Sequence, residues 1–278
     1  MEAMNSRKAA SGGRAILSVS FGTSHAQTRA HTIDAIDAQL AAAFPERAFY
    51  AAWTSGRIVA KLRDAGEHHD TLDEAHERLA RDGINDVVVA SSCLMHGAET
   101  SKIEERACNW AAAGDRRVAV AEPLLAHDAD RSALAQALAD EFAWMEDSDA
   151  ALLMGHGSRA GSNEVYSHIQ HALDRIAAGR FFVGTVEGQP AFDDVLEALE
   201  ARKPACVHLV PLMIVAGDHA TRDLAGDNDD SWQSRLQSAG LSTHAVLKGL
   251  GEYAAVRDLV CEHARAAASL LEEGGARG

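Results

Sequence analysis

The sequence predicts an α/β protein of two similar domains, each a four-stranded, mainly parallel sheet flanked by helices, and three observations support this. Short runs rich in Val, Leu and Ile alternate with longer Ala-rich amphipathic stretches, the pattern of parallel strands covered on both faces by helices. Eight such apolar runs occur, and they divide into four and four. At 278 residues the chain is longer than one small domain needs, and with 47% hydrophobic and 24% charged residues it can bury a substantial core.

The elements follow in order. The leader MEAMNSRKAASGGR is polar, so residues 1–13 read as a flexible N-terminal tail. AILSVSF is too short for a signal peptide or a membrane span and reads as a first buried strand, Ala15–Phe21. Strands at Arg47–Trp53, Asp86–Ala90 and Arg117–Ala121 complete an N-terminal domain over 14–127. Asp128–Met145 carries Ala and Leu at helical spacing and runs into the acidic cluster Glu146-Asp147-Ser148-Asp149, so 128–149 is taken as a connecting helix with the cluster as boundary. Strands at Ala150–Gly155, Phe181–Val186, Ala205–Val210 and Ser242–Ala245 then build a C-terminal domain over 150–278, which is expected to carry a metal site.

Charge and cysteine usage exclude several function classes. The 26 basic and 41 acidic residues leave a net charge of −15, a field that repels nucleic acid and anionic lipid. The 4 cysteines show no CxxC spacing, so neither a zinc knuckle nor a disulfide framework is indicated, and a reduced, cytoplasmic chain fits. The 14 histidines are many for this length. Those at His68, His69, His76, His168 and His171 read as surface helix residues.

The halves match one another at three places, in the same order. ILSVSFGTS corresponds to ALLMGHGSR, YAAWTSG to VGTVEGQ, and VVVASSCLMHGAE to VHLVPLMIVAGDH. Phe21 then pairs with His156, Ser55 with Glu187 and Glu99 with His219, so metal-ligating types fill all three places in the second half alone. Each follows a strand, and open α/β sheets place their sites beyond the carboxyl ends of strands. Two imidazoles and a carboxylate suit a divalent first-row metal and leave coordination positions open. Gly155 and Gly157 around His156, and Gly217 before Asp218-His219, are expected to let the backbone turn. The acidic run from Asp223 to Asp230 reads as a helix N-terminus ahead of Ser231-Trp232.

SFGTS near the start, TSG at 54–56, MGHGS at 154–158, VE at 186–187 and above all HLVPLMIVAGDHA with its DSWQSRL and GLGE continuation resemble the anaerobic cobalt chelatases, from about Ala15 to about Arg265. The resemblance implies a class II, chelatase-like, pseudo-duplicated fold with a cleft between the domains. It implies ATP-independent insertion of Co(II) into sirohydrochlorin or precorrin-2, with release of two protons, on the anaerobic route to cobalamin. The family's metal-binding and catalytic His, Glu and His fall on His156, Glu187 and His219, and His156 is expected also to take a pyrrole proton, with Glu187 assisting transfer or lowering the metal's positive charge. No organic cofactor or nucleotide is expected, nor any nucleic-acid or membrane partner, and a homo-oligomer is compatible. The sequence departs from the family at Gly188-Gln189-Pro190 and around His96.

A substrate with eight carboxylates conflicts with the overall negative charge and calls for local donors. Ser24, Arg57, Lys61, Ser158, Arg159 and Arg222 are candidates, with backbone N–H groups of Phe21–Ser24 as neutral donors and Leu94, Met95, Leu212, Met213 and Ile214 as apolar contacts. Rival readings are a ferrochelatase or nickel chelatase acting on the same tetrapyrrole, and a non-catalytic metal or tetrapyrrole carrier. GHGS matches neither GxGxxG nor GxxxxGK[ST], which sets a nucleotide-binding protein aside.

Overall fold

The structure, a computed structural model, describes residues 13–158 and 163–275. The expected tail therefore lies outside the described residues, Gly13 excepted. Among the described residues eight strands form: β1 Arg14–Ser20, β2 Ala48–Trp53, β3 Asp86–Ser91, β4 Arg117–Val120, β5 Ala150–Gly155, β6 Phe181–Thr185, β7 Val207–Pro211 and β8 Thr243–Ala245. They make two four-stranded sheets ordered β2-β1-β3-β4 and β6-β5-β7-β8, with every pairing parallel. Both orders double back past their first strand, so the switch point of each sheet lies between its first and third strands.

In the first sheet, strands β1 and β3 are buried almost throughout, which is why they read as unbroken apolar runs rather than alternating ones. Ala15, Leu17 and Val19 share one face of β1 with a core completed by Leu72, Leu79, Ile103 and Trp110. These come from helices α4 (Leu72–Arg81) and α5 (Ala98–Ala112); the others before them are α1 (Ala26–His31), α2 (Ile33–Ala43) and α3 (Gly56–Asp64). In the second sheet, Leu152, Met154 and Leu209 pack with Phe192, Leu199, Trp232 and Leu236. Its helices are α6 (Asp128–Glu141), α7 (Glu164–Ala177), α8 (Phe192–Arg202) and α9 (Trp232–Ser238), and a long α10 (Ala254–Gly275) follows. No helix among the described residues is long and apolar enough to cross a membrane.

The boundaries differ from the sequence reading. One compact unit comprises the residues up to Ala126 together with those from Val256 onward, and the other is His127–Ala255. Helix α6 belongs wholly to the second unit, where it packs on α7, instead of linking two domains. The acidic cluster is an internal turn of that unit. Arg202 donates to the backbone carbonyls of Asp147, Ser148 and Asp149 at 3.0–3.1 Å, and Arg180 donates to that of Met145 at 2.8 Å. Carbonyls that hold two guanidinium groups do not behave as a loose linker. The segment beyond Val256 joins the first unit because α10 is tied there: Gln39 donates to Asp258, Arg257 to Gln39, and Arg117 to the Leu271 carbonyl.

Candidate metal centre

The strand ends of the two sheets are built alike. Beyond β1 and β2, Thr54 N–H donates to the Ser20 carbonyl at 2.9 Å and Ser55 N–H to Phe21 at 3.1 Å. Beyond β5 and β6, Val186 N–H donates to Gly155 at 3.0 Å and Glu187 N–H to His156 at 2.8 Å. Across the switch points, Ser92 N–H donates to Val19 and Leu212 N–H to Met154. The three sequence correspondences are thus one backbone pattern used twice, with Phe21 in the place of His156 and Ser55 in that of Glu187.

In the second unit this pattern puts His156 directly after β5, and His219 at the start of a π-helical turn, His219–Leu224, beyond β7. The two strands flank the switch point, and the imidazole centroids lie 4.8 Å apart, edge to face. Each Nδ1 faces an acceptor. His156 Nδ1 lies 2.9 Å from the Gly157 carbonyl, and His219 Nδ1 lies 2.5 Å from Asp223 Oδ2. A carbonyl and a carboxylate both accept, so the neutral form of each ring has its proton on Nδ1 and its lone pair on Nε2. Neither Nε2 has a hydrogen-bond partner among the described residues. Two adjacent imidazoles prepared in this way can share a divalent cation.

The glycines around His156 have separate reasons. A Cβ on Gly155 would stand 2.2 Å from Cε1 of Tyr166, a fully buried ring, so close packing excludes a side chain there. Gly157 has φ +76°, and its Cβ would meet Thr185 at 2.8 Å and the Glu187 and Gly188 backbone at 3.0 Å. The Tyr166 hydroxyl accepts the Gly157 N–H at 3.0 Å, pinning the loop from beneath. Asn163 closes it further, accepting from Ser158 N–H and donating to the Ser158 carbonyl. Gly217 has ordinary backbone and room for a side chain, contrary to the expected role.

The third expected ligand stands apart in kind. Glu187 is half-buried, and its backbone is fastened to that of His156. Yet no group of three or more His, Cys, Asp or Glu side chains that could hold a metal is assembled among the described residues. The remaining candidates scatter over strand ends of their own units. Phe21 is 56% exposed, an apolar ring in solvent. Ser24 accepts from Lys61 Nζ at 3.0 Å, and Arg57 stands exposed on α3 four residues before Lys61. Leu94 and Met95 are half-buried beyond β3, as are Met213 and Ile214 beyond β7, whereas Leu212 is fully buried. Arg222 is exposed on the π-turn, and Arg159 lies outside the described residues. His96, exposed, faces Glu122 at 3.0 Å.

Sequence reasoning passed over Asp223, Tyr166 and Asn163. Asp223 takes no part in the helix N-terminus expected of the acidic run: helix α9 is capped by Ser231, whose hydroxyl accepts the Ser234 N–H, and Asp223 turns to His219 instead. The H-x-x-x-D spacing was the available signal. Three of the histidines expected on helix surfaces lie elsewhere, His68 being exposed in the loop before α4. His69 stacks on Trp53 in a loop, at 3.7 Å, and His76 is buried beside Trp110. Burial pushes the Cys93 thiol up to about 11, with Glu99 adding to this and a Ser91 hydrogen bond opposing, so it is a poor nucleophile near neutral pH.

The sequence matches the family described as cobalt chelatase (CbiK) over residues 14–269. It is 36% identical to sirohydrochlorin cobaltochelatase of Salmonella typhimurium, over 94% of this chain and 98% of that protein. It is 30% identical to sirohydrochlorin cobaltochelatase CbiKC of Nitratidesulfovibrio vulgaris, over 94% of this chain and 92% of that protein. The fold is similar to that of SirB from Bacillus subtilis with Fe3+, at 15% identity and a TM-score of 0.66 over 94% of this chain and 97% of that one. It is likewise similar to CbiX, described as the terminal enzyme for siroheme biosynthesis in denitrifying bacteria, at 22% identity and a TM-score of 0.58 over 91% of this chain and 99% of that one.

Proposed function

The chain belongs to the CbiK cobalt chelatase family, and on that premise we propose that it inserts Co(II) into sirohydrochlorin without nucleotide, as a step of cobalamin biosynthesis. The observation that carries this reading is the pair of imidazoles at the switch point of the second sheet, each with its Nδ1 proton engaged and its Nε2 lone pair free.

Insertion exchanges one Co(II) for two pyrrole N–H protons. The site must therefore hold a partly desolvated ion, release it, and accept protons. Two neutral imidazoles bind Co(II) without cancelling its charge, and the unfilled positions stay open to ring nitrogens. Glu187, whose backbone is fastened beside His156, supplies the third ligand as its carboxylate turns to the ion. As the ion passes to the macrocycle, the vacated His156 Nε2 takes one pyrrole proton and Glu187 assists transfer of the other to solvent water. A set of three protein ligands suits delivery, because a closed four-ligand site would hold the metal against transfer.

The substrate's carboxylates need positive partners in an acidic protein. Arg57 and Arg222 form no ion pair among the described residues, and with Lys61 they supply exposed positive charge. The hydroxyls of Ser24 and Ser158, the Arg159 guanidinium, and the apolar side chains Phe21, Leu94, Met95 and Met213 complete the proposed contacts. The four unpaired cysteines fit a reducing compartment, and we read the protein as cytoplasmic.

Purified protein mixed with sirohydrochlorin and Co(II), with no nucleotide added, should accelerate the absorbance change of metallation over a protein-free control. An equal rate would refute the activity. Stoichiometric binding without turnover would point to a carrier.

A further inference from the structure

We propose that Asp223 is a positioning residue that makes His219 the anchoring metal ligand, a role that rests on reading His156 and His219 as ligands. His219 and Asp223 sit four residues apart on the π-turn, with Ala225 N–H donating to the Ala220 carbonyl at 3.2 Å to close its wide pitch. Ala220 and Leu224 are fully buried and fasten the turn, while His219 and Asp223 occupy its open side, each side chain 44% exposed. A pair so exposed contributes little to stability, so its 2.5 Å contact calls for another explanation. The other acids of the run, Asp227, Asp229 and Asp230, are exposed and contact no histidine among the described residues.

A carboxylate on Nδ1–H fixes the tautomer and ring orientation of a ligating histidine and raises the basicity of its Nε2. His156 has only a neutral amide carbonyl in the same place. The two imidazoles therefore differ in donor strength: His219, backed by an anion, holds the ion, and His156, backed by a carbonyl, is the ligand that lets go. The asymmetry gives a transfer site one firm bond and one labile bond.

The test uses full-length protein labelled with ¹⁵N-histidine, first metal-free and then titrated with cobalt(II) chloride. Long-range ¹H–¹⁵N spectra show which ring nitrogen is protonated, and loss of signals in His219→Gln assigns them. Wild type should show His219 as the Nδ1–H form. Asp223→Ala should shift it toward the Nε2–H form and weaken Co(II) binding, followed by visible absorption, by about 10–100-fold. KM for the tetrapyrrole should stay unchanged. Asp223→Asn, which keeps an acceptor oxygen, should hold the tautomer and lose less affinity, and circular dichroism checks that each variant folds. An unchanged tautomer or unchanged affinity in Asp223→Ala overturns the proposal. If His219→Gln binds Co(II) as wild type does, the metal-site reading fails and Asp223's role with it. If His219→Gln loses binding while Asp223→Ala keeps it, the role of Asp223 alone falls.

Discussion

Replacing Gly155 by alanine should damage both stability and turnover through a single clash. The new Cβ would lie 2.2, 2.8 and 2.9 Å from Cε1, Cζ and Cδ1 of Tyr166, where ordinary contact needs 3.4 Å or more. The ring is about 1% exposed and its hydroxyl is held by the Gly157 N–H, so it has no free direction in which to retreat. Overpacking of a well-filled core costs about 1–3 kcal/mol, and at about 2–4 °C per kcal/mol the melting temperature should fall by several degrees. Relief by movement of the strand end would carry His156, the next residue, away from His219. Gly56→Ala is the control, because its Cβ would meet nothing within 4 Å. Thermal denaturation and the rate of Co(II) insertion should both fall in Gly155→Ala and stay near wild type in Gly56→Ala. Wild-type values in Gly155→Ala would show that Tyr166 does not dictate this glycine.

Three further outcomes are expected. Tyr166→Phe removes only the acceptor of the buried Gly157 N–H, and should cost about 1–3 kcal/mol in urea denaturation while lowering turnover; unchanged stability would mean that another group satisfies the amide. His156→Ala should abolish insertion with the circular dichroism spectrum intact, and full activity would remove His156 from the site. The Asp37 carboxyl is pushed up to about 7, chiefly by burial, with Asp34 reinforcing this and a hydrogen bond from Ser18 opposing it. Between the usual carboxylate range and about pH 7 the folded protein keeps a proton that the unfolded chain has released, so stability falls as pH rises through that window. Asp37→Asn should flatten the decline and raise the denaturation midpoint at pH 8; an unaltered slope would assign it to other groups.

Strand positions were legible because a parallel strand buried on both faces must be continuously apolar, and β5 and β7 are buried at every residue. The unit boundary was not, because an acidic run reads as solvent-exposed whether or not its backbone is engaged. Over 145–149 backbone carbonyls bind Arg180 and Arg202, joined by the Asp147 carboxylate 4.0 Å from Arg180, and composition does not reveal carbonyls. The joining of α10 to the first unit was hidden for a similar reason. It depends on partners such as Gln39 and Arg117 that lie well over a hundred residues away in sequence. Within the site, residues that follow strands could be aligned by pattern. Asp223, Tyr166 and Asn163 act from helices and turns, where no strand period marks them.

The fold supplies one platform to both halves, and individual side chains make only the second a candidate metal site. Backbone bonds beyond β1 and β2 repeat beyond β5 and β6 with the same offsets, so both sheets offer the same platform. Yet the three equivalent side chains in the first unit do other work. Phe21 stands in solvent, Ser55 caps α3 by accepting the Ile58 N–H, and Glu99 lies in the first turn of α5 with one oxygen buried and unpartnered. The supporting shell is missing as well. Tyr166 and Asp223 correspond in register to no comparable anchor behind Phe21 or Glu99 among the described residues. A metal site therefore requires more than placing histidine at a strand end. If His and its anchor are both needed, Phe21→His with Glu99→His should fail to bind Co(II) in the first unit at concentrations that saturate the second. A second equivalent of bound ion in that variant would show instead that the platform alone suffices.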